Sequence, residues 1–109
     1  MDDNLHEKAM EAATIFLYKK GYDVLAKNYE LAGITADIIA KDNESNAIVF
    51  VQVNQVNMEA TGFPNEPEFD RRRWENMAIA WLDINDYQDC EVRFDVISLV
   101  VMSYQSSLS

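Results

Sequence analysis

Residues 47–55 read AIVFVQVNQ, and this stretch decides the fold. Its β-branched and aromatic residues predict a strand, and residues 48–51 are apolar on both of its faces. A strand without a polar face must be covered on both sides, so we expect it at the centre of a sheet between helices. Gln52 and Asn54 follow at a spacing of two and therefore share one face of the strand.

The segment before this strand changes its hydrophobic period at Gly21 from helical to alternating. Upstream, spacings of three and four predict a helix over residues 5–20, with Asn4 and Glu7 as a capping pair and Gly21 as its stop. The predicted apolar stripe consists of Leu5, Ala9, Ala12, Ala13, Phe16 and Leu17. Downstream, alternation predicts strands over residues 22–30 and 34–41. Short polar turns join these strands to the central one, which favours a three-stranded antiparallel meander.

The segment after the meander is predicted to be a loop, a helix and a strand. Residues 56–66 lack periodicity and contain Gly62 and Pro64, which is typical of a loop. The helix is predicted from a heptad-like apolar stripe, begins at Pro67 or nearer Asp70, and ends at Asn85. The stripe consists of Trp74, Met77, Ala78, Trp81 and Leu82.

A strand over residues 92–102 completes the sequence of elements. A strand, helix and strand in succession imply a right-handed crossover, so this last strand should lie parallel to the third. We therefore predict an α/β (α+β) protein with the order αβββαβ. A length of 109 residues favours one domain spanning residues 1–109, with the polar residues 103–109 as a frayed tail.

Composition excludes several classes of function. Nine basic residues against 19 acidic ones give a net charge of −10, so nucleic acid should bind weakly or not at all, no tighter than about 10⁻⁴ M. The single cysteine, Cys90, permits neither an intrachain disulfide nor a thiolate cluster. No apolar run reaches the roughly 18 residues of a membrane span, and the acidic N-terminus does not resemble a signal peptide. We expect a cytoplasmic protein that does not enter membranes.

Five local motifs resemble one family. They are KKGY at residues 19–22, KNY at 27–29, DIIA at 37–40, VFVQVN at 49–54 and RFDV at 93–96. In this order they resemble the YraN-like family of bacterial proteins of unsettled function. The resemblance implies the restriction-endonuclease-like, or PD-(D/E)xK, fold.

The resemblance also implies a site. The nuclease chemistry of that fold uses an aspartate on the second strand and a Glu-x-Lys on the third, because carboxylates hold Mg²⁺ or Mn²⁺ while the lysine steadies the attacking water. Asp37 stands at the aspartate position, and Gln52 and Asn54 stand at the Glu and Lys positions. Met10 occupies the place of a glutamate on the family's first helix. The candidate site residues are Asp37, Gln52 and Asn54, which we call the three vestigial positions.

The departures from the motif predict a lapsed enzyme. An amide holds a hard cation less readily than a carboxylate, and losing one electrostatic stabiliser costs about 10²–10³ in rate. We therefore expect no cofactor, and a binding or interaction module whose partner is another protein. The alternative is a metal-dependent endonuclease or DNA-processing enzyme with a rearranged site, in which Asp37 and either Glu11 or Glu30 hold Mg²⁺ or Mn²⁺. In the simplest interpretation Asp37 is an ordinary polar residue of its strand.

The other charged residues have structural interpretations. Helix-surface ion pairs explain the basic cluster Arg71–Arg73. His6 is predicted to be a surface residue. Arg93 and Asp95 share a face of the last strand and are predicted to form a structural ion pair with each other or across the sheet. The sequence indicates neither a particular partner nor an oligomeric state.

Overall fold

The described part of the chain forms a four-stranded mixed sheet with one helix against each face. The computed structural model describes residues 2–57 and 70–101. The elements are α1 (Asp2–Lys19), β1 (Tyr22–Leu31), β2 (Ile34–Asp42), β3 (Ile48–Asn57), α2 (Arg71–Ile84) and β4 (Val92–Val101). The strands lie in the order β1-β2-β3-β4, with the first two pairings antiparallel and the last one parallel. The predicted α+β class, element order and parallel final strand are confirmed.

Helix α1 begins earlier than the sequence predicts. Because it starts at Asp2, Asn4 lies inside the helix, and the predicted Asn4–Glu7 capping pair is wrong. The predicted stop is confirmed, since Gly21 adopts the left-handed backbone with a φ of 87°.

The buried stripe of α1 is narrower than the predicted stripe and is rotated slightly around the helix relative to it. Its buried residues are Ala9, Met10, Ala13 and Leu17. Phe16 is 48% exposed, Leu5 is 39% exposed and Ala12 is exposed as well, so the prediction of these three as core residues is wrong. Each helical residue turns by about 100°, and one flat sheet covers only the stripe centred on Ala13.

The predicted meander is confirmed, and each of its two turns has a local cause. Ala32 and Gly33 both adopt left-handed backbone in the β1–β2 turn, with φ of 55° and 81°. In the β2–β3 turn, the side chain of Asp42 accepts hydrogen bonds from Glu44 N–H and from the hydroxyl of Ser45.

Strand β3 is central, as its sequence predicts. Residues 48–51 are completely buried. Val49, Val51 and Val53 pack in a core on the α1 side, while Ile48 and Phe50 pack in a second core on the α2 side. The strand continues to Asn57, so the loop prediction is wrong for residues 56 and 57, and residues 58–66 lie outside the described part of the chain.

Helix α2 covers the second face of the sheet. Asp70 is its N-cap and accepts a hydrogen bond from Arg73 N–H at 3.3 Å, which confirms the start near Asp70; the alternative at Pro67 lies outside the described residues. Asn85 caps its C-terminus, as predicted. Trp74, Met77, Ala78 and Trp81 are buried, and Leu82 is partly buried against them.

Phe50 is the centre of the α2-side core. Its ring lies 5.9 Å from the rings of both Trp81 and Phe94, edge-on to the former. Strand β4 pairs with β3 from Val92 to Val101, and the predicted end at Met102 and the tail at 103–109 lie outside the described residues. None of the helices described is both long enough and apolar enough to cross a membrane.

Candidate functional site

Asp37 lies where β2 and β3 stop pairing. The ladder between these strands runs from Lys41 opposite Ile48 to Ile38 opposite Val51, and Asp37 is the next residue. Its Oδ2 accepts a hydrogen bond from Val53 N–H at 2.7 Å. The carboxylate therefore takes the place of a backbone carbonyl and satisfies an N–H group that would otherwise be left unpaired at the end of the ladder.

The backbone is irregular at this point in two neighbouring strands. Ala36 packs on the α2 side and Ile38 on the α1 side, although residues two apart on a regular strand share a face. On β1, Asn28 lies between Lys27, which pairs with Ile38, and Tyr29, which pairs with Ala36, and it has a φ of 53°. The regular alternation is thus broken at Asp37, which allows its side chain to lie in the gap between β2 and β3.

Burial changes the titration of Asp37. Loss of hydration raises the pKa of this carboxyl above its ordinary value of 3.8, although the hydrogen bond from Val53 and the nearby His6 both act to lower it. The charged form of Asp37 is therefore less favoured than that of an exposed aspartate.

His6 contributes to the same region, and the sequence analysis missed it. Its side chain is half-buried, and its Nδ1 lies 3.1 Å from the amide Nε2 of Gln55. His6 lines an open groove, so its predicted surface position is confirmed, while its contact with Gln55 was not predicted. The available signal was helical spacing, because His6 precedes the buried Met10 by one turn and shares its stripe.

Gln52 lies on the opposite face of the sheet from these groups. Alternation along β3 places it on the α2 side, where its Oε1 is buried and accepts no hydrogen bond from the described residues. Asn54 follows on the same face and is half-buried. Met10 packs against Val53 in the α1-side core. The structure thus groups Asp37 with His6 and Gln55, and it does not bring Met10 and Gln52 into one cavity.

An open hollow of about 840 Å³ lies beside Gln52 at the start of α2. Its lining includes Thr35 and Gln52 from the sheet and the basic cluster Arg71–Arg73 with Asp70 from the helix. Among the described residues, three guanidinium groups and one carboxylate line this hollow, so its described lining is basic in an acidic protein.

The arginines of this cluster differ in their contacts. Arg71 pairs with Glu75 at 2.9 Å, one helical turn away, which confirms the predicted surface ion pair. Arg73 is exposed and donates from Nη2 to the carbonyl of Ala32 at 2.9 Å, a contact other than the predicted ion pair. Arg72 is exposed beside them.

Arg93 has the structural role that its sequence context predicts. It forms an ion pair with Asp42 at 3.4 Å and donates a hydrogen bond to the hydroxyl of Tyr22. The hydrogen bond from Glu44 N–H, with smaller contributions from Ser45 and Arg93, lowers the pKa of Asp42. This network ties the first strand to the last at the end of the sheet remote from Asp37.

The donor groups at the vestigial positions do not fit a divalent cation. Mg²⁺ prefers several oxygen ligands that include carboxylates. Here one carboxylate is hydrogen-bonded to Val53, one amide oxygen is buried, and arginines line the hollow next to it. Among residues 2–57 and 70–101, no three His, Cys, Asp or Glu side chains are grouped so that they could hold a metal ion.

The fold and this site define an α+β protein with a mixed sheet and a polar gap at the end of its β2–β3 ladder. Comparison with known proteins places it more narrowly. The model of the uncharacterised protein family UPF0102 matches residues 9–99, and the chain belongs to this family, the YraN family.

Relatives of this chain cover most of its length. A UPF0102 protein of Pelobacter propionicus is 32% identical over 100 residues, which are 90% of this chain and 71% of the relative. One from Trichlorobacter lovleyi is 33% identical over 93 residues, covering 84% and 72% of the two chains. One from Caldicellulosiruptor saccharolyticus is 35% identical over 95 residues, covering 85% and 75%. The predicted resemblance is confirmed at the level of the family.

Proposed function

We propose that this protein is a catalytically lapsed member of the restriction-endonuclease-like fold that serves as a binding module for another protein. The proposal rests on the hydrogen bonding of Asp37. Its carboxylate is the acidic group at the three vestigial positions, and its Oδ2 already accepts a hydrogen bond from Val53 N–H. One oxygen of this carboxylate therefore already has a structural role in the sheet, which leaves a single carboxylate less able to serve as a metal ligand.

The neighbouring positions support the same conclusion. Gln52 and Asn54 are neutral, so neither supplies the second carboxylate or the amine that metal-dependent phosphodiester cleavage uses. Arg71–Arg73 line the same hollow as Gln52, where their charges repel a divalent cation. The loss of each such stabilising group lowers the rate of hydrolysis by about 10²–10³, and the losses multiply when more than one group is missing. Efficient hydrolysis is therefore not expected.

The charge distribution favours a protein partner. A net charge of −10 repels nucleic acid at long range. The basic hollow at the start of α2 offers the exposed Arg72 to a single carboxylate at short range. A protein segment with one acidic side chain suits both features, because it approaches without the repulsion that a polyphosphate meets.

The rival proposal is a nuclease that has relocated its carboxylates, with Asp37 and either Glu11 or Glu30 as ligands of Mg²⁺ or Mn²⁺. Glu11 is exposed and lines an open groove between α1 and β1. Glu30 is exposed on β1, paired with Thr35 near the β1–β2 turn. No contact in the described residues joins either glutamate to Asp37, so the geometry favours the lapsed site.

A cleavage assay decides between the two proposals. Single-stranded, duplex and branched DNA are incubated with the protein and Mg²⁺ or Mn²⁺, alongside the variant Asp37→Asn and the control Asp23→Asn, which changes an exposed residue of β1. We expect no cleavage above background from any of the three proteins. Cleavage by the wild type and the control that disappears in Asp37→Asn would overturn the lapsed-site proposal.

A further inference from the structure

Helix α1 has a second apolar face, which the described part of the chain leaves uncovered. Its buried stripe, centred on Ala13, packs on the sheet. Ile15 follows two positions later and is therefore turned by about 200° around the helix, away from the sheet. Ile15 is 49% exposed, and Tyr18, which shares its face at a spacing of three, is 75% exposed. Large apolar side chains thus lie on the solvent side of α1.

A groove runs beside this face, between α1 and β1. Two open hollows of about 610 and 460 Å³ adjoin at Thr14 and Ile15. The first extends to His6 at one end of the helix, and the second extends to Lys19 at the other. These ends are 13 residues apart, which is about 20 Å along the helix axis. The groove is therefore long enough to receive another helix, with Ile15 near its middle.

Opposite charges flank Ile15 along the helix. Glu11 precedes it by one turn, Lys19 follows it by one turn, and both are exposed. At spacings of four, the three residues form one ridge on the helix surface. Within the described residues neither charge belongs to an ion pair. The ridge therefore presents a negative group, an apolar centre and a positive group in a straight line.

We propose that this ridge packs against the same ridge of a second copy of the chain, with the two α1 helices antiparallel and a two-fold axis at Ile15. The axis sets Ile15 against the partner subunit's Ile15 and Glu11 against the partner subunit's Lys19. This ion pair occurs twice because the interface is symmetric. Tyr18 then lies over the partner subunit's Ala12, where a small exposed side chain leaves room for the ring.

Charge complementarity selects both the occupant and the direction of packing. Parallel helices in register would set Glu11 against the partner subunit's Glu11, and like charges facing each other are destabilising. Moving the two-fold axis by one turn, to Glu11 or to Lys19, would also bring like charges together. A ridge with opposite charges placed evenly about an apolar centre is complementary to itself, which favours a second copy over a partner of uniform charge.

The net charge of −10 on each copy opposes association at long range. At about 0.15 M salt, however, screening limits this repulsion to about 8 Å, so the groups that face each other decide the outcome. The proposed interface lies on the opposite face of the sheet from the basic hollow at the start of α2. It is therefore separate from the surface that we assign to a protein partner.

Sedimentation equilibrium on the full chain tests the proposal, from about 5 to 500 µM protein in about 0.15 M salt. Ile15→Glu places two carboxylates at the axis. Glu11→Lys and Lys19→Glu each set like charges face to face, and the double variant restores opposite charges in reversed order. The matched control Asp83→Lys makes the same charge change as Glu11→Lys, at an exposed position of α2. Circular dichroism checks that each variant is folded.

We expect a wild-type dimer with a dissociation constant inside this concentration range. The constant should rise at least about tenfold in Ile15→Glu and about tenfold in each single charge variant, because two ion pairs become two repulsive pairs. The double variant should return to within about threefold of the wild type, and Asp83→Lys should leave the constant unchanged within error. Glu11→Lys and Asp83→Lys alter the net charge equally, so any difference between them comes from the facing groups.

A wild type that stays monomeric over the whole range would overturn the proposal. A dimer that tolerates Ile15→Glu would show that another surface is used. A double variant as weak as its single variants would rule out the antiparallel register. If Asp83→Lys weakened the dimer as much as Glu11→Lys does, the ion pair would have no part in it.

Discussion

Replacing Asp37 with alanine tests its structural role, because the side chain stabilises the sheet through one identifiable bond. Its Oδ2 accepts from Val53 N–H at 2.7 Å, and Val53 is 7% exposed. The alanine variant leaves that N–H without an acceptor in a nearly buried position, which costs about 1–3 kcal/mol. For a protein of this size, each kcal/mol lowers the melting temperature by about 4–8 °C.

The matched variant Asp37→Asn separates the hydrogen bond from the charge. Its amide oxygen still accepts from Val53, and it removes a carboxylate whose pKa is raised by burial. A raised pKa means that ionisation destabilises the folded state, so the wild type should lose stability relative to Asp37→Asn as the pH rises above 3.8 through the folded pKa. At neutral pH we expect Asp37→Asn to lie within about 1 kcal/mol of the wild type.

Thermal and urea unfolding of the three proteins between acid and neutral pH provide the measurement. The expected order of stability at neutral pH places Asp37→Ala lowest, with Asp37→Asn close to the wild type. An asparagine variant as unstable as the alanine variant would show that the negative charge itself is required. That result would refute the interpretation of Asp37 as a neutralisable hydrogen-bond acceptor.

Three further predictions follow from the core, the first turn and the surface charge. Phe50→Ala should lose about 3–5 kcal/mol, seen as a lower urea midpoint with an unchanged m-value, because the ring is completely buried. Gly33→Ala should lose about 1–2 kcal/mol, since φ is 81° and the added Cβ meets Arg73 Nη2 at 3.0 Å; an unchanged melting temperature would contradict this. Duplex and branched DNA should bind no tighter than about 10⁻⁴ M in fluorescence anisotropy, and micromolar binding with a steep salt dependence would indicate a phosphate-binding track.

The fold was predictable because its main elements have strong local patterns. The apolar run in β3 indicated a central strand, and the tryptophan stripe of α2 indicated a helix against the sheet. The parallel pairing of β4 then followed from the handedness of crossovers. Helix α1 was predicted less well because its weak apolar pattern permits several stripes, and only packing against the sheet selects the one containing Met10.

The site was less predictable because it depends on a break in regular alternation. Regular alternation would place Ile38 on the same face of the sheet as Ala36, but the two residues lie on opposite faces. Nothing in the local sequence marks Asp37 as the residue at which the alternation fails. His6 and Gln55 are in contact although they lie 49 residues apart in the sequence. Local patterns cannot reveal such a pair, although helical spacing does place His6 on the buried side of α1.

The central claim is that the vestigial positions no longer hold a metal, and a metal titration followed by amide chemical shifts tests it most directly. Mg²⁺ is added to the labelled wild-type protein up to millimolar concentration, and Mn²⁺ is then added to detect local broadening. We expect no saturable shift and no localised broadening at Asp37, Gln52 or Val53, because one hydrogen-bonded carboxylate and neutral amides make a poor ligand set for either ion. Saturable shifts centred on Asp37 and Gln52 would contradict the claim and favour the metal-dependent nuclease.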